Sequence, residues 1–195
     1  MGHNSFTITL PSAPAPGSLM VLESLGTDIS SGHPVYDMPG YTSILDETFP
    51  TVGYNNNRAL VWTRTAQAGD SASLTVSIPT GPYYKGWFVL SEIAGAGTPA
   101  VSYGNLDTNG NTPVINVSSS SVVLVMDDIL DSSTTHNISP SFYTQLYSAT
   151  FTTNSRCFSA GQGNVPSFPF QDAAIGNDTP PINGPYLIVV IPVGT

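Results

Sequence analysis

This sequence predicts an all-β fold, an antiparallel β-sandwich of the jelly-roll or a related Greek-key type. Three observations lead there. No window sustains apolar residues at the 3.6-residue spacing of a helix. Apolar residues come instead in short runs rich in Val, Ile, Thr, Tyr and Trp, the composition of strands. Between the runs stand dense Gly and Pro clusters, and 18 Gly with 17 Pro in 195 residues supply enough breakers for a turn after almost every run.

In chain order, the runs predict strands at residues 6–10, 19–25, 41–45, 59–65, 72–78, 87–93, 112–117, 122–126, 142–151, 157–160 and 186–191. The first two are separated by Pro11-Ser12-Ala13-Pro14-Ala15-Pro16-Gly17, which neither helix nor strand can absorb. In Ser71-Ala72-Ser73-Leu74-Thr75-Val76-Ser77-Ile78 every second residue is apolar, so that strand buries one face and turns the other to water or a neighbour. Thr80-Gly81-Pro82 precedes the run at 87–93, and Gly95-Ala96-Gly97-Thr98-Pro99 follows it. Residues 129–133 are the one short helical candidate. Strand-like runs open and close the chain and no low-complexity linker divides it, which reads as one sandwich domain over 1–195. Within it, residues 154–185 form a long irregular segment apart from the run at Cys157; loops of that length commonly bind something or lie under a partner.

Charge narrows the function. Lys and Arg number 4 against 13 Asp and Glu, for a net charge of -9, and only 9% of residues are charged. A free-standing soluble domain carries about 25%. Nucleic acid is a poor partner for such a chain, because affinity for phosphates comes from Lys and Arg releasing counterions. Anionic membranes are disfavoured for the same reason. The surface must consist largely of Ser, Thr, Asn, Gly and Pro, with few charges to desolvate and little side-chain entropy to lose on contact. That composition suits an assembly protein more than an enzyme. MGHNSFTITL lacks the basic and apolar regions of a secretory signal, so synthesis in a reducing cytoplasm is the expectation, and the single Cys157 reads as a core residue.

Candidate chemistry is sparse. His3, His33 and His136 are scattered singly, without metal-ligand spacing. Asp107-Thr108-Asn109-Gly110-Asn111 begins like a calcium loop, but its glycine comes early and Ser118 stands where the bidentate carboxylate belongs, so a turn explains it. Asp127, Asp128 and Asp131 cluster after the run at 122–126 and read as a solvated polar turn. No nucleophile elbow or nucleotide loop is present. No catalytic residue, cofactor or metal site is therefore assigned. Aromatic residues remain as contact candidates. Tyr83 and Tyr84, beside the only lysine, read equally as contact surface or as packing. Phe168 and Phe170 flank Pro169 in a segment without strand pattern, and either anchor a partner or fold back over the sandwich.

Five stretches in order carry a family resemblance. They are Pro16-Gly17-Ser18-Leu19-Met20-Val21-Leu22, Met38-Pro39-Gly40-Tyr41-Thr42, Leu60-Val61-Trp62-Thr63-Arg64-Thr65-Ala66, Gly69-Asp70 with Leu74-Thr75-Val76-Ser77, and Gly86-Trp87 through Ala94-Gly95. This first half of the chain resembles a β-sandwich module of tailed-bacteriophage virion surface proteins, of the head decoration or fibre and tail-tip types. It departs from the module at Ser18, where an acid is usual, at Tyr41, where Trp is usual, and at Trp62, where Tyr is usual. The resemblance implies a non-enzymatic virion structural protein: a capsid decoration or cement protein or a head-fibre base, on the virion surface after synthesis in the host cytoplasm. Its partners are then other virion proteins, the major capsid protein first; the low-charge, hydroxyl-rich surface and sheet edges that must be covered add copies of itself, a trimer being favoured. The alternative is a carbohydrate-binding receptor-recognition protein of a tail or fibre, for which a glycan is the ligand.

Overall fold

Central strands of this protein are buried on both faces, and that property organises it. The structure is a computed structural model describing residues 4–28, 38–50, 56–78, 84–117, 119–130, 137–139, 143–151, 156–166, 169, 173–175 and 184–194. Every described element is a strand, and every ladder is antiparallel. The backbone groups into two compact units, one drawn from the chain up to Ala96 and the other from Gly97 onward.

The first unit contains β1 (Asn4–Thr9), β2 (Leu19–Asp28), β3 (Thr42–Phe49), β4 (Asn57–Thr65), β5 (Ser73–Ile78) and β6 (Tyr84–Ile93). Four of them form a sheet in the order β3-β4-β2-β6, while β1 and β5 pair as a separate ribbon. The two layers close over one cluster. Leu22, Leu60 and Trp62 from the larger sheet meet Val76, Phe6, Ile8 and Leu74 from the ribbon. Phe6 and Phe88 bring their ring centroids to 4.7 Å, tilted at 53°, a favourable aromatic geometry. This is a β-sandwich, as the strand pattern predicted. The alternation read in 71–78 holds: Leu74 and Val76 point into the cluster, while Ser73 and Thr75 are exposed.

Two tight turns set the entry of strands in this unit. In Ala15-Pro16-Gly17-Ser18 the Ser18 amide donates to the Ala15 carbonyl at 3.1 Å, and Gly17 has φ +87°. In Met38-Pro39-Gly40-Tyr41 the Tyr41 amide donates to Met38 at 3.0 Å, and Gly40 has φ +80°. Proline at the second position and a positive-φ glycine at the third make both type II turns.

The second unit contains β7 (Ala100–Asn105), β8 (Ser121–Leu130), β9 (Asn137–Ser139), β10 (Tyr143–Phe151), β11 (Arg156–Val165), β12 (Ala173–Ile175) and β13 (Pro185–Pro192). Its main sheet runs β10-β11-β8-β13-β7, and β9 pairs with β12. Val123, Val125, Tyr186, Ile188 and Val165 form a cluster on one face, covered by Leu106 and Val117. Leu124, Met126, Leu187, Val189 and Ile191 on the other face are buried as well. Strands buried on both faces read as continuous apolar runs, which is why 122–126 and 186–191 were legible without alternation.

Several expectations are corrected. Residues 112–117 form no strand; Pro113 lacks the amide a ladder needs, and the segment lies over the sheet through Ile115 and Val117. The run at 122–126 extends to Leu130, so Asp127 and Asp128 lie within a strand rather than in a turn, and the helical candidate at 129–133 begins as the end of β8. The run at 157–160 extends to Val165 because β8 pairs along its whole length and β10 as far as Gly163; two ladders hold Gly161, Gln162 and Gly163, and that of β8 holds Asn164, extended against their weak strand propensity. The strand β7 went unread.

Candidate functional site

Of the aromatic contact candidates, Phe168, Phe170 and Tyr83 lie outside the described residues. Tyr84 opens β6, where its backbone registers with Asp28. His3, His33, His136 and Asp131 also lie outside them. Of the four contact candidates only Tyr84 thus lies among the described residues, and the site is built from other residues.

The calcium-like loop is a turn. Asp107 Oδ1 accepts from the amides of Asn109 and Asn111, each at 2.8 Å, and from Asn111 Nδ2 at 3.3 Å. The Asn111 amide, followed by that of Asn109, holds the Asp107 carboxyl below the usual carboxylate range. The carboxylate is consumed by its own loop, which explains the D-x-N-x-N pattern by local geometry. Asp127 is fully buried beside Tyr186 and Ser159 in the ladders of β8. Among the described residues no three His, Cys, Asp or Glu side chains gather as metal ligands.

Two surface features of the first unit stand out. The first is a cleft of about 180 Å³ whose lining includes Tyr41, Arg64, Asp70, Ser71 and Ser73. Arg64 in that lining is one of four basic residues in the chain. The guanidinium donates through Nη2 to Asp70 Oδ2, and its carbon lies 5.3 Å from the Tyr41 ring centroid, a cation–π geometry. Arg64 Nε is buried without a hydrogen-bond partner. Asp70 in turn accepts from the Gln67 amide at 2.7 Å, and that bond first, then Arg64, keeps its carboxyl below the usual range. Burial pushes the Tyr41 phenol above its ordinary value. Ring, paired guanidinium and serine hydroxyls are groups that can hold a polar ligand.

The second feature is the outer face of the β1–β5 ribbon. The register opposes Ser5 to Ser77, Thr7 to Thr75, and Thr9 to Ser73. All six side chains share one face, since their neighbours Phe6, Ile8, Leu74 and Val76 point into the core. Thr7 and Thr75 hydroxyls stand 3.4 Å apart, and those of Thr9 and Ser73 3.3 Å. The face carries only hydroxyls and no charge. Sequence reasoning saw half of it, in the alternation of 71–78; the matching alternation in Phe6-Thr7-Ile8-Thr9 was the signal for the rest. The Tyr41–Arg64–Asp70 array had a weaker signal, the rarity of arginine itself.

The second unit offers a groove of about 180 Å³ whose lining includes Val101, Ile115, Val117, Val190 and Pro192. It is more apolar, as a gap between β7 and the covering segment should be.

No family model, curated protein or solved structure matches this chain.

Proposed function

We propose that this chain is a non-enzymatic structural protein of a bacteriophage virion, acting by contact on the particle surface as a capsid decoration or cement protein or as a head-fibre base. The observation that carries the reading is the charge-free hydroxyl face of the β1–β5 ribbon. A neutral sheet face of short hydroxyl side chains can be covered without desolvating an ion or freezing long side chains, and so fits permanent contact with a neighbouring protein. The composition points the same way, with 9% charged residues over the whole chain. The family resemblance of the first half supplies the virion setting, with the major capsid protein and other copies of this chain as partners.

Copy number tests it. Purified particles separated on a stained gel are expected to carry hundreds of copies of the chain; its absence from particles overturns the reading.

A second reading rests on the Tyr41–Arg64–Asp70 cleft, whose ring and polar groups suit a glycan, making the chain a receptor-recognition protein of a tail or fibre. A handful of copies per particle, with saturable binding of host surface glycans abolished by Tyr41→Ala, supports this reading over the first.

A further inference from the structure

We infer that the open edge of β1 is a two-fold seam, to which a second copy of this chain adds its own β1 antiparallel. The inference takes its biological setting from the assembly reading above, while the pairing is a property of the purified chain.

The direction of the backbone groups follows from one hydrogen bond. The Leu10 amide donates to the Ala72 carbonyl at 2.9 Å, next to the register pair Thr9↔Ser73. In an antiparallel ladder bonded and non-bonded pairs alternate. Leu10, Ile8 and Phe6 therefore direct their amides and carbonyls toward β5, and Thr9, Thr7 and Ser5 direct theirs away from it. Two observations agree. The Thr7–Thr75 and Thr9–Ser73 hydroxyls come within 3.4 and 3.3 Å, as the close side chains of non-bonded pairs do. On β5, the Ser73 amide donates to Ser71 Oγ at 3.0 Å rather than to β1. Among the described residues no strand pairs with β1 on its outer side.

That edge is complementary to itself. Placing a two-fold axis at Thr7 sets Thr7 opposite the partner's Thr7 and Ser5 opposite the partner's Thr9. These are the residues whose backbone groups point outward, so the pairing makes about six N–H···O bonds. The same register sets Phe6 opposite the partner's Ile8 on the inner face, and leaves all hydroxyls on the outer one. A two-fold axis brings each strand against its own sequence, and Asn4–Thr9 contains no ionisable side chain, proline or bulge to oppose this. The edge at β3 is different: it carries Asp46 and Glu47 and a register shift between Ser43 and Leu45. Those are the devices that keep an edge from pairing. The β5 edge is partly closed by Ser71. The contact is isologous and ends at two copies, so it does not build the trimer expected from the sequence.

Sedimentation of the purified full chain is the test. The expected species has twice the 20.4 kDa chain mass at concentrations of about 100 μM. Thr7→Pro removes the amide at the axis without removing a bond to β5, and Thr7→Lys sets two ammonium groups side by side on an exposed position. Each is expected to raise the dimer dissociation constant by about tenfold or more, with the circular dichroism spectrum unchanged. Thr7→Ser is expected to leave it alone. If the proline disturbs the ribbon, the lysine variant decides. A monomer, a trimer, or a dimer insensitive to Thr7→Lys overturns the seam. A lysine-sensitive dimer that is absent from virions upholds the seam and overturns only the virion reading.

Discussion

Glu23 and Asp46 are carboxylates of one sheet, and they meet opposite fates. Glu23 lies on the central strand β2 between Val61 and Val89 of its neighbours, 1% exposed, with Oε1 lacking any hydrogen-bond partner. Burial pushes its pKa up to about 8. Asp46 lies on the edge strand β3, about half exposed, and grips Arg58 through two bonds of 2.9 Å. There the arginine is the buried member, with a side chain 4% exposed. At the edge water solvates the acid, and the acid satisfies a buried cation. At the centre no such exchange exists, and the protein keeps its carboxyl by holding the proton. The formal charge of -9 therefore counts one acid, Glu23, whose charge burial suppresses at neutral pH.

The largest test of this contrast is Glu23→Gln. Below pH 4.5 Glu23 is protonated in folded and unfolded chains alike. As pH rises toward 8 only the unfolded chain ionises there, so its contribution to stability is lost across that window, by up to about 5 kcal/mol. The wild type is expected to melt at progressively lower temperature from pH 5 to pH 8. The variant should match it near pH 4 and exceed it by roughly 10 °C at pH 8. Parallel melting curves at every pH would mean that Glu23 is solvated after all. Asp70 and Asp107, whose pKa values are lowered, act in the opposite sense, their contribution being lost as pH falls through the folded-state values.

Asp46→Ala probes the edge. It strips the paired anion from a buried guanidinium and should cost about 2 kcal/mol in urea unfolding, less than a fully buried pair because Asp46 itself is half solvated. A loss below about 0.5 kcal/mol would make Arg58 indifferent to its partner and the contrast one of burial alone.

The smallest effect belongs to a carboxylate between these extremes. Glu92 Oε1 on β6 accepts from the Ala15 amide at 2.6 Å and lies 2.8 Å from the Ser18 hydroxyl, which also reaches the Ala15 carbonyl at 2.7 Å. Ser18→Ala should cost about 1 kcal/mol. It should also speed hydrogen exchange of the Ala15 amide, a change confined to the turn.

What could be read from the chain alone was local. Pro16-Gly17 and Pro39-Gly40 specify type II turns within four residues, and the alternation of 71–78 specifies which of its side chains face the core. The apolar runs of β8 and β13 announce strands whose two faces are both covered. Where local signals conflicted with pairing, pairing won: Gly161 through Gly163 are extended because β8 and β10 hold them, and 112–117 fails as a strand because Pro113 cannot donate.

The rest was decided by tertiary structure, because it depends on register between distant segments. Phe6 meets Val76 across 70 residues of chain, and only that register determines that Ser5, Thr7 and Thr9 turn their backbone groups outward. Tyr41 reaches Arg64 and Asp70 from a separate segment, around a charge that composition counts but does not place. Placement between Val61 and Val89 of the neighbouring strands, which no local pattern names, is what pushes the Glu23 pKa up. Hydrogen-bond phase, burial and charge pairing are properties of neighbours in space, and a strand pattern names only neighbours in sequence.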